Sequence, residues 1–71
     1  MMNAFFRALE QLKRKNPTIG CCLDEAPDKN HWNLKIVANG AEVFTVIGSD
    51  IDLLFQNAYG KLQVHRKELV V

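Results

Sequence analysis

Apolar positions along the first fifteen residues recur at helical intervals. Phe5, Leu9 and Leu12 fall on one side, with Met2 and Ala8 beside them. That spacing predicts a helix over 3–15. Asn3 is its expected N-cap. Lys13, Arg14 and Lys15 fill the last turn, where cations complement the helix dipole. Asn16-Pro17 ends the helix, because a residue before proline avoids the α region.

The pattern then shortens to that of strands. Thr18, Ile19, Cys21, Cys22 and Leu23 predict a half-buried strand over 18–24. Gly20 within it marks a bulge or a close backbone approach. Ala26-Pro27-Asp28-Lys29-Asn30 is turn material. Two further strand-like runs, 31–38 and 41–47, flank Asn39-Gly40. That dipeptide predicts a two-residue type I′ hairpin.

A tight turn also sets the register. Ala38 faces Ala41, Val37 faces Glu42, Ile36 faces Val43, and Lys35 faces Phe44. Leu34 then faces Thr45, Asn33 faces Val46, and Trp32 faces Ile47. In this register Trp32, Leu34, Ile36, Val43 and Ile47 share the core face. The other face carries Asn33, Lys35, Val37, Glu42, Phe44 and Val46.

A second helix is predicted over 50–64. Ser49 with Asp52 reads as a capping box, and Asp50 adds charge to the first turn. Ile51, Phe55, Ala58 and Leu62 form its apolar stripe, widened by Leu54. Gly60 weakens it by about 1 kcal/mol relative to alanine and is a candidate break. Residues 64–71 fit either a continued helix or a strand. The order is helix, three strands, helix. It predicts an α+β fold: a three-stranded antiparallel meander with both helices on the face bearing Trp32.

The bulk properties narrow this picture. Seventy-one residues make one domain, 1–71. A chain of that size buries only about 60% of its unfolded surface, so small domains often rely on disulfides, metals or a partner for added stability. Cys21 and Cys22 are neighbours whose side chains point apart, which argues against a bridge between them. No apolar run approaches the ~18 residues of a membrane span. A soluble, cytoplasmic protein is expected. The net charge of +1 hides an asymmetry: +3 over residues 1–17, −4 over 18–52 and +2 over 53–71.

Candidate chemistry is sparse. Adjacent cysteines do not converge on one metal as C-x-x-C pairs do, so Cys21, Cys22, His31 and His65 predict no zinc site. At least one of these cysteines is expected as a small buried hydrophobe. No Cys–His motif or glycine-rich phosphate loop is present. The expectation is a non-enzymatic protein without a cofactor. Three apolar side chains on a face that should be polar predict either cover by the C-terminal tail or a slightly different register, or a contact surface: Lys35, Val37, Phe44 and Val46, used for a protein partner or a homodimer.

The helix–three strands–helix order, with His31 before the hairpin, resembles the double-stranded RNA-binding domain. That family grips phosphates with lysines opening its second helix. Here the matching stretch is Gly48-Ser49-Asp50-Ile51-Asp52, which is acidic and repels phosphate. Nucleic-acid binding would fall instead to Lys13, Arg14, Lys15, Arg66 and Lys67, with Phe44 available for stacking. A tryptophan-led hairpin followed by Gly-Ser-Asp and an amphipathic helix is also similar to small orphan proteins of phages and prophages. That resemblance implies a binder or inhibitor of a host protein. The sequence therefore predicts a small interaction module, with a nucleic-acid-binding module as the alternative.

Overall fold

The computed structural model describes residues 2–70, without the Met2 side chain. The expectations for that side chain and for Val71 lie outside the described residues. Helix α1 spans Met2–Lys15, followed by β1 (Gly20–Glu25), β2 (Trp32–Ala38) and β3 (Ala41–Gly48). Helix α2 (Ile51–Val64) and a single turn, α3 (Arg66–Leu69), complete the chain. The three strands form one antiparallel sheet in the order β1-β2-β3. The architecture is α+β, as the pattern predicts.

Each helix forms where its apolar stripe finds a cover. Phe5, Leu9 and Leu12 of α1 are buried, as are Leu54, Phe55, Ala58 and Leu62 of α2. Helix α2 packs over β3 and β2, and α1 packs chiefly on α2. The Phe5 and Phe55 rings meet edge to face with centroids 5.3 Å apart, a favoured aromatic geometry. Trp32 is half-buried at the margin of this core.

Three helix details differ from expectation. Helix α1 already includes Met2, so Asn3 lies inside it rather than at its N-cap. Asp50, not Ser49, caps α2. Its carboxylate accepts from the N–H groups of Asp52 and Leu53, a charge-assisted cap at the positive end of the dipole. Gly60 does not break α2, which runs through it. The undecided tail turns at His65, adds α3, and buries Leu69 completely.

The hairpin turn is where the sequence puts it. Asn39 and Gly40 both have positive φ, 56° and 80°, as a type I′ turn requires. Ala38 pairs with Ala41 and Val37 with Glu42, as predicted. A bulge then intervenes. Ile36 pairs with Phe44, leaving Val43 as the extra residue, and every later pair shifts by one: Lys35 with Thr45, Leu34 with Val46, Asn33 with Ile47.

The slip inverts the rest of β3. Phe44 and Val46 turn into the core, 6% and 7% exposed, while Ile47 turns out at 65%. The expected contact face of Lys35, Val37, Phe44 and Val46 is therefore not a surface. Only Lys35 and Val37 keep their outward orientation, and Lys35 pairs with Glu42 at 3.8 Å. The physical reason is burial. A straight ladder would put the Thr45 hydroxyl against Leu34 and leave a phenylalanine in water. Burying Phe44 and Val46 is worth about 1.5–3 kcal/mol each, which outweighs exposing Ile47 alone.

Candidate interaction surfaces

Strand β1 is the least covered element of the sheet. From Cys21 to Glu25 every residue is exposed, although Ile36 and Leu34, beside Cys21 and Leu23 in β2, are fully buried. Both cysteines are therefore exposed thiols rather than core residues. Leu23 is 41% exposed. Of the half-buried strand expected over 18–24, Ile19 is buried just before β1 begins, and within β1 only Gly20 is half-buried, where a Cβ would lie 3.1 Å from Cγ2 of Val37.

Among the described residues β2 is the only neighbour of β1 in the sheet, so the other edge of β1 is open. Its unpaired groups can be identified. Ala26 donates its N–H to the His31 carbonyl at 2.8 Å, continuing the β1–β2 pairing. Backbone groups alternate in direction along an antiparallel strand. Gly20, Cys22 and Asp24 thus turn theirs toward β2. Cys21, Leu23 and Glu25 turn their N–H and C=O groups outward. An exposed row of this kind is a ready template for another strand.

The sheet-side chemistry around this edge is mixed. Cys21, Leu23 and Glu25 lie on the helix-bearing face, opposite Ile36, Leu34 and Trp32. Partial desolvation pushes the Cys21 thiol above its ordinary value of 9.0. Neighbouring Cys22 adds to the rise, and Lys13 partly offsets it. Cys21 is thus held as a neutral thiol near neutral pH, a poor nucleophile. The end of α1 lies near the start of β1, since Thr18 and Asn16 bond the hairpin tip at Asn39. The other end of β1 is acidic, with Asp24 and Glu25 followed by Asp28.

A second surface gathers part of the basic set. Arg14, Lys15 and Arg66 line one cleft of about 290 Å³ between α1 and the end of α2, with Gln11 and Gln63 beside them. Ala8, Leu12 and Leu62 form the rest of its lining, and among the described residues no carboxylate lines it. Arg14 also lies 3.9 Å from Glu10, one turn earlier on the exposed side of α1. Lys67 lines an adjacent shallow groove with Arg66. Lys13 points away from the cleft and lines a groove with Phe6 and Leu9. The five expected basic contacts thus divide, with three in one cleft, one beside it and one on the far side of α1.

Phe44 has no base-stacking role in this arrangement. Its ring is buried and stacks on His65, with centroids 5.2 Å apart and planes 25° apart. His65 Nδ1 lies 3.2 Å from a Glu68 carboxylate oxygen. His31 Nδ1 is likewise 3.2 Å from Asp28, in the β1–β2 turn. No group of three or more histidine, cysteine, aspartate or glutamate side chains could hold a metal ion among the described residues. No helix there is long and apolar enough to cross a membrane.

Sequence reasoning missed the β1 edge. The signal available was the order of elements: two helices cannot cover three strands equally, and the first strand is the farthest in sequence from α2. No family model, curated protein or solved structure gives a significant match to this chain.

Proposed function

We propose that this protein is a non-catalytic interaction module that binds protein by adding a strand to the edge of β1. One observation carries the reading. β1 exposes both faces and an unpaired row of backbone groups at Cys21, Leu23 and Glu25. Strand addition uses such an edge for affinity and the flanking side chains for selectivity. The exposed Leu23 is the apolar anchor of that edge.

The test compares wild type with Leu23→Lys. A lysine on an exposed edge strand discourages further pairing, while a 41%-exposed position tolerates it. Wild type should retain a specific polypeptide that Leu23→Lys does not. The retained chain should slow amide exchange at Cys21, Leu23 and Glu25. Equal retention by both proteins, or no slowing at those amides, would refute the reading.

A second reading rests on the α1–α2 cleft. Arg14, Lys15 and Arg66 converge there, with no lining carboxylate among the described residues, which suits a phosphate of a nucleic-acid backbone. Binding to an oligonucleotide should then weaken steeply with salt, and Arg14→Ala with Arg66→Ala should flatten that dependence. No binding at low salt would refute it.

A further inference from the structure

We infer that the partner taken by the β1 edge is a second copy of this chain, paired antiparallel to the first with Leu23 on the two-fold axis. This rests on the strand-addition reading above. A two-fold axis perpendicular to the sheet keeps each face where it is, so paired residues must lie on the same face. With Leu23 opposite Leu23 of the second copy, Cys21 falls opposite Glu25, and Glu25 opposite Cys21. These are the three residues whose backbone groups face outward. Hydrogen-bonded pairs in an antiparallel ladder exchange two bonds each. The register therefore satisfies every outward donor and acceptor of β1 in both copies.

Charge supports the same register. In one copy, Cys21 and Glu25 are about 13 Å apart along the strand. Lys13 stands near Cys21, at the end of β1 where α1 finishes. Antiparallel pairing brings the second copy's acidic end to that place. Glu25 of one chain then lies beside Cys21 and Lys13 of the other, on the helix-bearing face, twice per dimer. Within a single chain Lys13 and Glu25 sit at opposite ends of the strand. Their charges are complementary only between copies.

The neighbouring register is poorer. Centring the axis on Cys22 pairs Cys21 with Leu23 but puts Glu25 opposite Ile19. The Ile19 N–H is already donated to the Asn16 carbonyl at 3.2 Å. That register would also set the two Cys22 side chains directly opposite each other. With Leu23 on the axis, no cysteine faces a cysteine.

Sedimentation of a Cys21→Ser, Cys22→Ser protein tests the pairing without thiol oxidation. A dimer is expected. Lys13→Glu and Glu25→Lys should each weaken it roughly tenfold, and the two together should restore it, because the charges are exchanged between chains. Leu23→Cys in the same background should cross-link on oxidation, since opposed residues lie within disulfide reach. Amides of Cys21, Leu23 and Glu25 should exchange slowly in the dimer. A wild-type protein that stays monomeric at millimolar concentration overturns the self-pairing. A double charge swap that fails to restore the dimer overturns the register. A monomer that still captures another polypeptide in a Leu23-dependent way would leave strand addition standing and remove only the second copy as its occupant.

Discussion

The side-chain amide of Asn16 donates to the backbone carbonyl of Leu69 at 2.8 Å, joining positions 53 residues apart in sequence. Among the described residues Asn16 is the one buried polar side chain, 8% exposed. Its other amide atom, Oδ1, accepts from the Thr18 N–H at 3.1 Å and lies 2.6 Å from the Thr18 hydroxyl. The Thr18 hydroxyl oxygen in turn accepts the Asn39 N–H at 2.8 Å. One asparagine thus ties the end of α1 to α3 and, through Thr18, to the hairpin tip.

Asn16→Ala should therefore cost more than a surface substitution. The Leu69 carbonyl would lose its partner in a buried setting, a loss of about 1–3 kcal/mol. Leu69→Ala should cost about 2–5 kcal/mol, because its side chain is completely buried in the core. Urea unfolding measures both. A change of less than about 0.5 kcal/mol for Asn16→Ala, the range of surface substitutions, would show that the bond does not hold α3 in place.

The bulge at Val43 makes a paired prediction. Phe44→Ala should destabilise by about 3–5 kcal/mol, as a buried phenylalanine does. Ile47→Asp should stay within about 0.5 kcal/mol, as a surface change does. A straight ladder reverses this order. Thermal or urea unfolding of the two variants therefore reads the register directly, and a costly Ile47→Asp with a harmless Phe44→Ala would show that the bulge is absent.

What was legible in the sequence follows from how local each signal is. Asn39-Gly40 demands positive φ at two successive residues, and the chain turns there. The stripes of α1 and α2 depend on spacing alone, and Phe5, Leu9, Leu12, Leu54, Phe55, Ala58 and Leu62 are buried, with Ala8 and Ile51 half-buried against them. The register of β3 is different. Val43 and Phe44 are adjacent apolar residues, so one of them must leave the alternation, and the turn cannot say which. The choice is made by tertiary burial of Phe44 under α2 and against His65. The three apolar residues expected outdoors were the mark of that conflict. The candidate site was hidden for the same reason. Thr18 to Leu23 looks like any half-buried strand, and its exposure depends on where α1 and α2 settle.

Gly60 should be the easiest position to improve. It lies inside α2, and a Cβ there meets nothing within 4 Å. Alanine restricts the unfolded chain more than glycine does. Gly60→Ala should stabilise the protein by about 1 kcal/mol. A fall in melting temperature would mean that α2 is not regular at this point.

The β1–β2 turn should respond to acid through Asp28. The Asn30 N–H donates to its carboxylate at 2.9 Å and holds the carboxyl below its ordinary value of 3.8. Desolvation opposes this, and His31 adds a smaller lowering. A folded-state value below the unfolded one stabilises the turn above the ordinary carboxylate range. That contribution is lost as pH falls through the lowered value, when protonation removes the charge that strengthens the Asn30 bond. The Asp28 carboxyl should therefore titrate below 3.8 by NMR, and His31→Ala should raise its midpoint. The amide of Asn30 should lose exchange protection over the same acid range. An Asp28 midpoint at or above 3.8 would show that the turn lacks this bond in solution. Lys29, held at a φ of 61°, would then lack one of the contacts that hold it in the left-handed region.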